Sequence, residues 1–348
     1  MILVTGAPGW LGNRLLEALT GKIAELNDLV KDVQSTEIRC LCLPGSDTAW
    51  IKSLSNNIKI YSGDVTEKNT LNDFFKGSEG AIIFHLVGVI HPTRGIKQLY
   101  EVNVEGTKNI LDMALQNKAG KVLIMSSNSQ SGTNPNKEHR FTEESPYNPY
   151  MNYGRSKMKM EILAKQYISE KNMDITIIRG CWFYGPHQPD RQTEFFTMIK
   201  NGGFPLLGKG DSVRSMSYVD NLCQGLIKAA QHTISKGKIY WIADERAYQM
   251  NEIISTVSDI LKNDFGMQVK EKQMNLPAFI GDIAQIADWF LQTIRVYNQK
   301  IHVLSEMNKT IACSVELAKK EIGYKPHIEL REGMRRSIEW CLKKGQKI

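Results

Sequence analysis

The chain of 348 residues lacks most of the features that would place it in a special class. No apolar run approaches the roughly 20 residues of a bilayer-spanning helix, so no transmembrane segment is expected. Met1 leads straight into an apolar stretch, without the charged segment and small-residue cleavage site of a signal peptide. Lysine and arginine exceed the acids by 7 charges, but they are scattered and mixed with acids. No basic run with interleaved aromatics occurs, which argues against a nucleic-acid partner. The 6 cysteines form no C-x-x-C pair; Cys40 and Cys42 share one face of an apolar run and read as buried thiols. The 7 histidines never fall at H-x-x-x-H spacing, so no metal is expected. Without a secretory signal, a reducing cytoplasm is the expected compartment.

What is present is an ordinary globular composition, 42% hydrophobic and 23% charged, long enough for a large core. The first half alternates apolar runs with helical patterns. Strands are predicted over 1–5, 38–43, 58–61, 81–89, 121–125 and 175–178. Helices are predicted over 11–19, 100–117 and 153–169, with one starting at 71–75 and surface helical or extended structure over 21–35. Continuous apolar strands alternating with helices predict an α/β fold: a Rossmann-type doubly wound parallel sheet. The rhythm breaks after Tyr184-Gly185-Pro186. The expected division is a dinucleotide-binding domain over 1–180 and a smaller, mostly helical substrate-binding part over 181–348, interleaved with the sheet. The polar stretch 128–148 reads as a loop beside the chemistry.

Thr5-Gly6-Ala7-Pro8-Gly9-Trp10-Leu11-Gly12 carries a G-x-x-G-x-x-G pattern between the first strand and the first helix. Glycines there let the backbone approach a pyrophosphate, and the helix N-terminus offers free N–H groups. Gly6, Gly9, Trp10, Leu11 and Gly12 are therefore candidate cofactor ligands. The second strand ends Cys42-Leu43-Pro44-Gly45-Ser46, with neither the acid that favours NAD nor a base that favours NADP. Arg39 lies inside the strand. Lack of an acid gives a slight lean to NADP over NAD, against which Asp47 counts.

Tyr153-Gly154-Arg155-Ser156-Lys157 places a tyrosine and a lysine on one helical face. A neighbouring ammonium lowers a phenol's pKa, making Tyr153 a candidate general acid–base, with Lys157 also reaching a nicotinamide ribose. Ser126 and Ser127 end a strand where α/β sheets bind ligands, and Ser127 is placed to orient a substrate oxygen.

Together these motifs resemble the extended short-chain dehydrogenase/reductase family, its epimerase/dehydratase branch. The resemblance also rests on Gly63-Asp64-Val65, His85-Leu86-Val87-Gly88, Asn103-Val104-Glu105-Gly106-Thr107, and Arg179 leading to Tyr184-Gly185-Pro186. It implies catalysis by Ser127, Tyr153 and Lys157. It also implies cofactor contacts from Asp64, Val65, Leu86, Val87, Gly88 and Asn103, and a homodimer. Val87-Gly88 and Gly180 depart from the family's usual alanines and proline. Gly208 to Asn221 resembles a substrate-domain motif in which Arg214 would meet a diphosphate, the alternative being a surface arginine.

A nucleotide-sugar-type substrate is slightly favoured. The C-terminal region, with 279–291 rich in apolar residues, Ala318 to Pro326, and Glu332-Gly333, resembles hydroxysteroid dehydrogenase-like members. It leaves open an NADP-dependent reductase of bulky apolar ketones. A non-catalytic dinucleotide-binding regulator is a further alternative, opposed by the presence of both Tyr153 and Lys157. Dehydration is marked down because Asn128-Ser129, not an Asp-Glu pair, follows Ser127. Attachment to a membrane surface through Phe279 to Phe290 is a third reading; Asp282 and Asp288 interrupt that stripe.

Overall fold

The computed structural model describes residues 1–33 and 35–348; Gln34, within the segment read as surface helical or extended structure, lies outside them. Seven strands form one parallel sheet: β1 (Ile2–Thr5), β2 (Ile38–Cys42), β3 (Ile58–Ser62), β4 (Ile82–His85), β5 (Lys121–Ser127), β6 (Ile175–Gly180) and β10 (Ile239–Ile242). Their order is β10-β6-β5-β4-β1-β2-β3. β1, β2, β5 and β6 are buried along their whole length, which is why they read as unbroken apolar runs. The doubly wound fold expected from the sequence is the fold observed.

The winding reverses between β1 and β4, which pair with Thr5 opposite His85. A crevice therefore opens at the carboxyl ends of these two strands, where such sheets bind ligands. Leu11, Leu15, Leu16 and Leu19 bury one face of the first helix, Trp10–Leu19, as their spacing predicts.

Two elements differ from the sequence expectation near this crevice. The strand predicted over 81–89 ends at His85. Beyond it, the Asn103 side chain takes both backbone groups of Val89, accepting from its N–H at 2.8 Å and donating to its carbonyl at 3.0 Å. Val89 thus satisfies both its backbone groups without a strand neighbour, while the Leu86 N–H still reaches the Thr5 carbonyl of β1 at 3.2 Å. The helix predicted over 100–117 begins at Lys97 and widens into a π-helical turn, Glu101–Gly106, before continuing as Thr107–Gln116. That turn carries Asn103 inward, and π-turns recur at functional sites.

After β6 come β7 (Trp182–Tyr184), β8 (Pro205–Leu207), β9 (Val213–Tyr218), β11 (Ala247–Gln249) and β12 (Met274–Leu276). These form a three-stranded sheet, β11-β9-β7, and a pair, β12-β8. They pack with the C-terminal helix Leu330–Lys343 around Tyr184, Phe196, Tyr218, Tyr248 and Met334. β10 returns to the main sheet beside β6, Ile239 opposite Ile177. A helical hairpin, Phe279–Thr293 and Gln299–Glu306, lies against the long helix Met151–Lys171.

Candidate active site

The glycine loop is built so tightly that side chains do not fit. Gly6 has φ +94°, and a Cβ there would lie 2.8 Å from the Leu86 carbonyl carbon. A Cβ on Gly12 would lie 2.4 Å from the Gly6 oxygen. The loop thereby presses the first helix against β1 and β4. Among the described residues no side chain caps that helix at Gly9, so the N–H groups of its first turn, from Trp10 to Gly12, are free for a ligand. This arrangement fits a dinucleotide pyrophosphate. Pro8, Asn13, Asp47, Trp50 and His187 line one cleft, which Lys344 also borders. Arg39 is turned elsewhere: it donates to Glu37 at 2.8 Å and to the Phe74 carbonyl at 3.0 Å.

Gly63-Asp64-Val65 follows β3 at the same edge of the sheet. Asp64 accepts from the Thr66 N–H at 2.9 Å and its hydroxyl at 2.8 Å, fixing the turn. Val65 packs beneath Gly106, where a Cβ would lie 2.8 Å from its Cγ2. Leu86 and Val87 lie under Gly6.

Ser127 ends β5, and the loop that follows locks onto the helix carrying Tyr153. The Tyr150 N–H donates to the Ser129 carbonyl at 2.9 Å. A Cβ on Gly154 would lie 2.3 Å from that same oxygen, so only glycine admits this approach. The Ser127 hydroxyl accepts from the Ser129 N–H at 3.2 Å, donates to the Ser129 hydroxyl at 3.3 Å, and lies on the side of the Tyr153 phenol, whose anion it favours. Lys157 stands one turn further on and is buried. Its Nζ lies 3.1 Å from the place a Cβ on Gly88 would take, with the Asn103 carboxamide oxygen 3.6 Å from the same place. Asn103 also donates to Ser156 at 2.9 Å. Ser127, Tyr153, Lys157, Gly88 and Asn103 are thus gathered at one edge of the sheet.

The expected lowering of the tyrosine pKa is absent from the chain by itself. Burial pushes the Tyr153 phenol up to about 12, against the opposing hydrogen bond from Ser127. Burial lowers the Lys157 ammonium to about 8, against the attraction of Glu161. The lysine donates to the Met125 carbonyl at 3.0 Å rather than to the phenol.

Below this pair, Glu161 and Arg179 form a fully buried bidentate ion pair, 2.7 and 3.1 Å. Ser126 and Tyr147 complete the glutamate's bonding at 2.6 and 2.9 Å. Ser126 is therefore committed to Glu161, which leaves Ser127 as the hydroxyl facing Tyr153. His85 is buried between Thr5 and Thr107 at 2.8 and 2.9 Å, and burial first, then Lys157, lowers it to about 3.

Arg214 is not a surface arginine. It is buried on β9, donates to the Glu306 carbonyl, and its Nε has no hydrogen-bond partner among the described residues. An unpartnered buried guanidinium nitrogen fits an anionic ligand. Sequence reasoning missed the residues that close the other side. Tyr297 packs by Tyr153 and bonds His91 at 2.5 Å. Gln292 accepts from the Asn152 N–H at 3.1 Å. Arg191 is exposed, has no acidic partner among the described residues, and its charge acts on His91, whose imidazole is held low by burial and then by that charge. No local motif marks these residues; Tyr297 reaches Tyr153, and Gln292 its neighbour Asn152, from segments far along the chain.

The family model described as the NAD dependent epimerase/dehydratase family matches residues 2–243. The uncharacterized protein y4nL of Sinorhizobium fredii (strain NBRC 101917 / NGR234) is 47% identical over 99% of this chain and 96% of its own length. The N-acetyl-alpha-D-glucosaminyl-diphospho-ditrans,octacis-undecaprenol 4-epimerase of Escherichia coli O157:H7 is 23% identical, over 97% of this chain and 94% of that protein. Among solved structures, the dTDP-glucose 4,6-dehydratase DesIV of Streptomyces venezuelae, with NAD and TYD bound, superposes with a TM-score of 0.75. It is 23% identical and covers 98% of this chain and 97% of its own.

Proposed function

The chain belongs to the NAD dependent epimerase/dehydratase family, and on that premise we propose that it epimerises one carbinol carbon of a sugar carried on a diphosphate, using NAD. The observation that carries this reading is the meeting of Ser127, Tyr153 and Lys157 beside Gly88 at the switch of the sheet. Residues 1–180 hold the cofactor and residues 181–348 the substrate in this reading. Trp10, Leu11 and Gly12 hold the pyrophosphate, Asp64 and Val65 the adenine end, and Leu86, Val87, Gly88, Asn103 and Lys157 the nicotinamide end.

Bound NAD supplies the hydride acceptor and a positively charged ring. Ser127 orients the substrate hydroxyl, and Tyr153 takes its proton through the phenol oxygen and later returns it. Lys157 holds positive charge beside Gly88, where it favours the phenolate. Arg214, through its free Nε, and Arg191, at the cleft, bind the diphosphate. Epimerisation is preferred to dehydration because Asn128-Ser129 offers no acid–base pair behind Ser127.

NAD replaces the slight lean to NADP. Asp47 lines the cleft beside Pro8 and Asn13, and an acid there opposes a 2′-phosphate. The Streptomyces relative carries NAD, and the coli relative is named for a diphospho-sugar, which supports the substrate class. The same reading has the enzyme in the cytoplasm, as a homodimer through the helices flanking the site. Titration with NADH and NADPH, after assay of dinucleotide retained through purification, tests the cofactor. Retained NAD and preference for NADH are expected. Binding of NADPH alone would return the reductase reading.

A further inference from the structure

The helix Phe279–Thr293 is amphipathic in the reverse of the usual sense. Its polar side is the buried one. Asp288 accepts from Gln292 at 2.9 Å and meets the His302 Nδ1 at 2.7 Å. Gln292 continues to Asn152, the neighbour of Tyr153. Gly281 and Ala284 allow this side to sit closely. Phe279, Ile283, Ile286, Trp289 and Phe290 all project outward, Ile286 with 68% of its surface exposed. Ile294, Val296 and Val303 continue the patch into the turn and the next helix. Single exposed apolar residues are ordinary, but a continuous bulky patch marks a surface that is covered in use.

The acids that interrupt the sequence stripe do not interrupt the surface. Asp288 lies inside with His302. Asp282 is neutralised by Lys309 at 2.6 Å. The exposed helix face therefore has no unpaired anion. Arg295 and Lys300, at its C-terminal end, are exposed and have no acidic partner among the described residues. An apolar face with an indole at its flank and free cations at its end complements the anionic surface of a bilayer. With 15 residues the helix is too short to span, and no helix among the described residues is long and apolar enough to do so.

We propose that this helix docks the enzyme on an anionic lipid surface, lying in the interface with its apolar face down. Through Gln292 and Asn152 the docked element is directly tied to the helix that carries Tyr153. The proposal does not depend on the epimerase reading, because docking is measured without turnover.

The test is sedimentation of the full-length protein with phosphatidylcholine vesicles, with and without phosphatidylglycerol. The protein is expected to pellet with the phosphatidylglycerol vesicles and to be released by salt. The double variant Ile286→Ser/Phe290→Ser should partition at least about tenfold less, since two large apolar side chains leave the interface. Its far-ultraviolet circular dichroism and NADH binding should match the parent, which separates docking from folding. A Trp289→Phe comparison should assign a blue shift in emission on vesicle addition to Trp289. Wild type that stays in the supernatant with both vesicle types overturns the proposal. So does a wild-type dimer that the double variant converts to monomer, which would make the face an interface between two copies.

Discussion

Lys157 stands one helical turn beyond Tyr153, yet its ammonium donates to the Met125 carbonyl and the phenol remains a weak acid, at about 12. The pair is thus assembled but not charged for proton abstraction. Burial lowers the Lys157 ammonium to about 8, so it still carries its charge at neutral pH, and the low dielectric around it strengthens its attraction for a neighbouring phenolate. Lys157→Met should lower kcat by about a hundredfold or more and move the rising limb of the pH–rate profile upward. Unchanged kcat across the profile would remove the lysine from the mechanism.

The buried Glu161–Arg179 pair serves the fold beneath the site. Glu161→Gln leaves a buried guanidinium without its counter-charge, and such losses cost about 3–5 kcal/mol. Urea unfolding should show that decrease, and Arg179→Met should show a comparable one. A midpoint within experimental error of wild type would mean that the pair contributes little.

His85 gives a signed pH dependence. Its pKa falls from 6.5 to about 3 on folding, so between those values the unfolded chain holds more protons. Stability from this group is full above about 6.5 and is lost as pH falls toward 3, by at most about 1.4 kcal/mol per pH unit. Thr107 donates to the Asn103 carbonyl at 2.8 Å, so it accepts from the His85 Nε2–H, and Nδ1 accepts from Thr5. Protonation breaks that order. Unfolding midpoints at about pH 7 and pH 5 should separate more for wild type than for His85→Gln.

As proposed diphosphate ligands, Arg191 and Arg214 should be separable from the redox site. Arg191→Gln should raise KM for a diphospho-sugar about tenfold or more, the value of a charge-assisted contact, while NADH affinity stays within about twofold. Parallel loss of NADH binding would place Arg191 on the cofactor instead.

Much of this was legible in the sequence because it is local. The glycine loop, the Tyr153–Lys157 spacing and the strand ending in Ser127 each lie within a few residues, and strand–helix alternation fixes which edge they share. What was not legible depends on distant segments. The 81–89 run is largely apolar, yet β4 stops at His85, and Val89 bonds the Asn103 side chain instead of a strand. The tyrosine's raised pKa follows from burial, which spacing does not report. Asp282 and Asp288 looked like breaks in an apolar stripe; only packing shows one paired and the other turned inward. Tyr297 and Gln292 carry no motif and meet Tyr153 and its neighbour Asn152 only through the fold.

The proposed epimerisation stands on Tyr153 moving the proton to and from a diphosphate-linked sugar. Its most direct test is proton NMR of the purified enzyme with UDP-hexoses, UDP-N-acetylhexosamines and polyprenyl-diphosphate sugars, with Tyr153→Phe run alongside. Wild type should interconvert two epimers of one of these without added reductant. The Tyr153→Phe variant should lose that activity by at least about a hundredfold while binding NADH as before. An epimerase activity that survives Tyr153→Phe would contradict this reading, as would net reduction that consumes a nicotinamide cofactor stoichiometrically.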